Sequence, residues 1–121
     1  MKVIIAGSRN INSLSEIRHA IESSEYNITE IISGGARGVD QLGELYALQE
    51  HIKMKRFPAN WDLYGKSAGY KRNEQMAEYA DALIAIWDGD SKGTKHMIDI
   101  MRMKNKANFV YIPGKYNSDI F

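Results

Sequence analysis

Three short segments hold the residues best suited to chemistry. They read Gly7-Ser8-Arg9, Ser33-Gly34-Gly35-Ala36-Arg37-Gly38-Val39-Asp40 and Asp88-Gly89-Asp90-Ser91-Lys92-Gly93-Thr94, and each follows an apolar run. The middle segment passes from a β-branched run straight into a helical pattern. Its backbone N–H groups are therefore expected to converge at a helix N-terminus, where anions, most often phosphates, bind. Gly34, Gly35 and Gly38 allow a ligand close to the backbone. Arg9 and Arg37 suit bidentate pairing with phosphate oxygens. Ser8, Ser33, Ser91 and Thr94 offer hydroxyls, and Asp40 and Asp88 can accept hydrogen bonds from a ribose or a base. Trp61 and Tyr64 offer rings on which a base can stack. If the chain is a catalyst, Asp40, Asp88 or Asp90 supplies acid–base help while Arg9, Arg37 and Arg72 hold charge. No Gly-Lys-Ser/Thr ends the glycine run, and the spacing is not Gly-x-Gly-x-x-Gly, so neither a Walker A loop nor a standard dinucleotide dehydrogenase is expected.

These segments need elements to position them. Apolar runs at 2–6, 29–33, 52–57, 82–87 and 108–112 read as strands, the third near a sheet edge because it carries Lys53, Lys55 and Arg56. Helical spacing covers 14–24, 39–50, about 71–79 and 94–103, with Asn12 or Ser13 as the cap of the first. Residues 58–70 form the longest irregular stretch, and 113–121 a polar tail. Strands alternating with helices predict an α/β, three-layer, Rossmann-like domain: a five-stranded parallel sheet, order 3-2-1-4-5, with helices on both faces. In that order the strand direction of travel reverses between the first and fourth strands, and ligands bind there, at the carboxyl ends. The three glycine segments would then share one rim.

Composition narrows the rest. The 121 residues fit a single domain spanning 1–121. A formal net charge of +1 argues against nucleic acid as the main partner and gives no case for membrane binding. With no cysteine, disulfides and thiolate chemistry are excluded, and a cytoplasmic location is expected. No apolar run approaches the roughly 20 residues of a membrane span, and the apolar N-terminal run is too short for a signal peptide. His19 and His51 have no partner at ligand spacing, so no metal site is expected, and no cofactor is required. His96 reads as a surface residue, and Arg102, Lys104 and Lys106 as a solvated helix end. Met76, Met97, Met101 and Met103 read as core or as an oligomer face, and the Met-bearing helix with Tyr111, Tyr116 and Phe121 suggests a homo-oligomer, dimer or higher.

Taken together, the Gly7-Ser8-Arg9, Ser33–Asp40, Phe57-Pro58-Ala59-Asn60-Trp61, Tyr64-Gly65-Lys66, Arg72-Asn73 and Trp87–Thr94 motifs resemble the YspA-related branch of the SLOG superfamily. The resemblance covers nearly the whole chain, from Lys2 to about Ile112. It implies a Rossmann-like fold and a site for a nucleotide-derived small molecule. The implied ligand-binding residues are Gly7, Ser8, Arg9, Ser33, Gly34, Gly35, Ala36, Arg37, Gly38, Asp40, Arg72, Asn73, Asp88, Gly89, Ser91, Gly93 and Thr94. The superfamily also holds the LOG phosphoribohydrolases, whose motif is Pro-Gly-Gly-x-Gly-Thr-x-x-Glu. Here Met97 stands where their catalytic Glu would be, and Asp88-Gly89-Asp90-Ser91 replaces the Pro-Gly-Gly portion. Binding as a sensor or carrier is therefore the leading expectation. A phosphoribohydrolase-like or other nucleotide-processing enzyme is the alternative, and a single-stranded DNA module like DprA, which shares the Ser-Gly-Gly-Ala-Arg-Gly turn, is the third.

Overall fold

A computed structural model of the chain describes residues 1–114. Its strands are β1 (Lys2–Gly7), β2 (Glu30–Ser33), β3 (Lys53–Arg56), β4 (Ala82–Ile86) and β5 (Ala107–Tyr111). Its helices are α1 (Leu14–Ser24), α2 (Val39–Gln49), the single turn α3 (Trp61–Tyr64), α4 (Ala68–Tyr79) and α5 (Lys92–Met103). All five strands are parallel, in the order β3-β2-β1-β4-β5. The predicted fold class and sheet order are those of the structure.

The central strands are apolar on both faces because both are covered. Val3 and Ile5 of β1, with Ile31, Ile84 and Ile86, pack against Ile17 and Ile21 of α1 and Val39 and Ala47 of α2. Alternate residues Ile4, Ala6, Ile32, Leu83 and Ala85 face the other way, onto Met76 and Ala77 of α4 and Met97, Ile98 and Met101 of α5. Each fully buried aliphatic side chain contributes roughly 1.5–3 kcal/mol, so these two layers dominate stability. Met76, Met97 and Met101 are core, whereas Met103 is 83% exposed. β3 is exposed along its length, and its lysines and arginine blunt the edge.

Ser13 caps α1, its Oγ accepting from the Glu16 N–H. The stretch expected to be irregular contains α3, capped by Asn60, whose Oδ1 accepts the Leu63 N–H at 3.1 Å. A 3-10 turn over Gly65–Ser67 then leads directly into α4, which starts at Ala68, before the predicted start. Lys106 is not a solvated helix end: its Nζ donates to the Ala77, Glu78 and Ala80 carbonyls and closes the C-terminus of α4. Tyr116 and Phe121 lie outside the described residues.

Candidate ligand cleft at the strand-order reversal

Ser8 is the reason the three glycine segments meet. Its N–H donates to the Ile86 carbonyl at 3.1 Å, which fixes the end of β1 to β4. Its carbonyl accepts the Val39 N–H at 3.4 Å, which ties in the start of α2. Its hydroxyl accepts the Asp88 N–H and the Ser91 hydroxyl, both at 2.9 Å, which ties in the start of α5. Two glycines permit this closeness. A Cβ on Gly7 would lie 2.0 Å from the Ile86 carbonyl oxygen. A Cβ on Gly38, at φ +76°, would lie 2.6 Å from the carbonyl oxygens of both Ser8 and Arg9.

Above this knot opens a cleft of about 400 Å³, lined by Gly7, Arg9, Asn10, Ala36, Asp40, Arg72, Asn73, Asp88, Ser91, Lys92, Gly93 and Thr94, with Ala6, Met76 and Met97 at its base. It lies between the first and fourth strands, as the sheet order requires. On one side stands the N-terminus of α5. No side chain caps it, and the N–H groups of Lys92, Gly93 and Thr94 donate to no acceptor among the described residues. Gly93 has an ordinary φ, and a Cβ there would meet nothing within 4 Å. Its carbonyl accepts Asn73 Nδ2 at 3.2 Å, which holds the first turn of α5 against α4.

Arg72 of α4 lines the same cleft. Its Nη1 donates to the Gly34 carbonyl at 2.6 Å and its Nε to Asn73 Oδ1 at 3.1 Å. Burial lowers its pKa from the ordinary arginine value, the nearby Asp40 charge opposes that, and the Arg9 charge adds to it. Arg9 itself makes no side-chain hydrogen bond or ion pair among the described residues. Asp40, near Arg72, is only 6% exposed. Burial pushes its carboxyl up to about 6, although the Ala36 N–H bonds it at 3.2 Å and Arg72 draws it down. Asn73 also reaches His96, Nδ2 to Nδ1 at 3.2 Å, and the His96 ring meets Tyr70 edge-on at 4.4 Å. His96 is thus partly buried between α4 and α5 behind Asn73 rather than a free surface residue, and burial lowers its pKa.

Several residues expected to contact a ligand make bonds within the fold. The Ser33 hydroxyl donates to Glu44 Oε2 at 2.7 Å and accepts the Gly35 N–H at 3.0 Å. Glu44 in turn is gripped bidentately by Arg56. Burial would raise the Glu44 pKa, but Arg56 and Ser33 together hold it low. Asp88 Oδ1 accepts the N–H groups of Asp90 and Ser91, each at 2.9 Å. Burial would raise Asp88 too, yet these bonds keep it ionised and low. Ser8, Ser33 and Gly38 lie beneath the cleft wall, Arg37 is exposed, and neither Arg37 nor Gly89 lines the cleft. Gly34 and Gly35 line a smaller adjoining hollow with Arg56, Pro58 and Trp61. Asn10 and Lys92 line the cleft and Arg56 the adjoining hollow, although the sequence assigned none of them to a site. The first two sit inside glycine-bearing turns, and Arg56 ends a strand on the same rim, which was the available signal. Among the described residues no three His, Asp or Glu side chains converge into a metal set.

A parallel sheet with its crevice at the reversal of strand order defines a Rossmann-like α/β protein. The chain belongs to the YspA, cpYpsA-related SLOG family, whose model matches residues 1–64. It is 32% identical to the Gene 61 protein of Mycobacterium phage D29, over 92% of this chain and 94% of that relative. Its fold is similar to that of DNA processing protein A (DprA) from Streptococcus pneumoniae, with a TM-score of 0.74 at 21% identity over 93% of this chain. The match spans half of that DprA chain, 50% of its length. No helix among the described residues is long and apolar enough to cross a membrane.

Proposed function

We propose that the protein binds a nucleotide-derived, phosphate-bearing small molecule in this cleft, as a sensor or carrier. The observation that carries the reading is the uncapped start of α5, with the unpaired N–H groups of Lys92, Gly93 and Thr94 in a cleft that Arg9 and Arg72 also line. Unpaired N–H groups and the helix dipole favour an anion there, and the guanidiniums add charge-assisted donors. Thermal unfolding with nucleotides, ADP-ribose derivatives and cyclic nucleotides tests it. A ligand at 100 times its Kd should stabilise by about 2.7 kcal/mol. No shift with any phosphate-bearing ligand would sink the reading.

One observation favours a catalytic second reading: Asp40 is a buried cleft carboxyl whose pKa lies near 6, suited to proton transfer. Against LOG-type hydrolysis, Met97 lines the cleft base where the catalytic glutamate would stand. Incubation with nucleoside monophosphates followed by chromatography separates the two, since binding alone leaves the ligand intact. Self-association is also a proposal, supported by exposed Leu48 of α2 and Met103 of α5.

A further inference from the structure

The two tryptophans of the chain have different situations. Trp87 is partly buried against the core and its Nε1 donates to the Ser91 carbonyl at 3.1 Å. Trp61 is 57% exposed, belongs to neither core layer, and has no ring, cation–π or side-chain hydrogen-bond partner among the described residues. An indole more than half exposed and outside both core layers is not held there by the core, so its position is informative. It stands in α3 over Gly69, whose missing Cβ would lie 3.9 Å from the indole Cη2. It lines a hollow of about 270 Å³ that shares Arg9, Ala36 and Arg72 with the main cleft. The hollow and the cleft are therefore neighbours with a common wall.

Resting on the reading of the cleft as a phosphate site, we propose that this hollow takes the planar base of the ligand, stacked on Trp61. The charge distribution assigns the two ends. In the hollow, Arg56 is neutralised by its bidentate bond to Glu44, and Arg72 donates to Gly34 and Asn73. What remains there is flat surface: an indole, two engaged guanidinium planes and the small side chains of Pro58 and Ala59. The unpaired N–H groups lie at the other end, on α5. A phosphate at α5 with a base at Trp61 spans both, and Arg9, unpaired and common to both walls, lies between them. A base stacked on an aromatic ring gains roughly tenfold in affinity as read by alanine substitution, whichever base it is.

The test compares ribose 5-phosphate with the four nucleoside 5′-monophosphates by calorimetric titration, on wild type, Trp61→Ala and Trp61→Phe. Wild type should bind at least one nucleoside monophosphate about tenfold more tightly than ribose 5-phosphate. Trp61→Ala should bring that advantage below about threefold, leave ribose 5-phosphate affinity unchanged, and be largely rescued by Trp61→Phe. Base preference untouched by Trp61→Ala, or no preference in wild type, overturns the base site while phosphate binding stands. If wild type binds neither class, the phosphate reading fails, and this inference with it. Trp61 is outside both core layers, so unfolding midpoints should match and folding does not confuse the result.

Discussion

The second and third glycine turns look alike as sequence and differ as structure. In Ser33–Asp40 the glycines are demanded by packing. A Cβ on Gly34 would lie 2.7 Å from Arg72 Nη1 and 2.9 Å from Asp40 Oδ2, and Gly38 presses on two carbonyls. The polar groups of that turn are also engaged, Ser33 with Glu44, Gly34 with Arg72 and Ala36 with Asp40. In Asp88–Thr94 the loop is likewise braced, by Asp88 and Ser8, but a Cβ on Gly93 would meet nothing within 4 Å and the helix that holds it has no side-chain cap. Glycine density thus marks close packing in one turn and open approach in the other. The ligand case rests more on α5 than on the richer glycine run.

The comparison breaks most visibly in stability. Gly7→Ala and Gly38→Ala insert a methyl against backbone oxygens, the second also at positive φ, where only the backbone can give way. Each should cost about 3 kcal/mol or more, read as a lower urea midpoint. A loss under 1 kcal/mol would show that Ser8 does not hold the turns so tightly.

A smaller effect follows from Asp40, which belongs to the packed turn yet faces the cleft. With a folded pKa of about 6 against 3.8 unfolded, the folded state holds its proton longer. Well below pH 4 both states are protonated. Between about pH 4 and 6 the unfolded chain ionises first, so this residue lowers stability as pH rises, by about 3 kcal/mol in all, and the loss is constant above pH 6. Glu44 and Asp88 act oppositely, because their pKa values are lowered, so the difference between wild type and Asp40→Asn isolates the residue. Urea titrations at pH 4, 5, 6 and 7 should show that difference growing up to pH 6 and then levelling. A flat difference would mean that Asp40 is not desolvated.

The sheet order was legible because strand and helix patterns alternate and right-handed crossovers leave few topologies. The rim location followed from it, and Arg9, Asp40, Arg72, Asn73, Gly93 and Thr94 do meet there. What could not be read was which polar groups the fold uses itself. Ser8 and Ser33 look like ligand hydroxyls in a linear pattern, and only three-dimensional pairing shows that their partners are Asp88 and Glu44. α3 was missed because a single turn has no periodicity, although Asn60 three residues before Leu63 is a capping signal. His96 was missed because its partners Tyr70 and Asn73 come from a different helix.

The smallest change in the free protein carries the most weight. Gly93→Ala adds a methyl to open space in the first turn of a helix, so the unliganded protein should be unchanged or more stable, by at most about 1 kcal/mol. On the proposed reading, that methyl enters the space through which a phosphate reaches the α5 N–H groups. Thermal unfolding of wild type and Gly93→Ala, each with and without a nucleoside 5′-monophosphate, reads both quantities at once. The account predicts an equal or higher midpoint without ligand and at least a tenfold loss of affinity with it. An affinity equal to wild type in Gly93→Ala would contradict it.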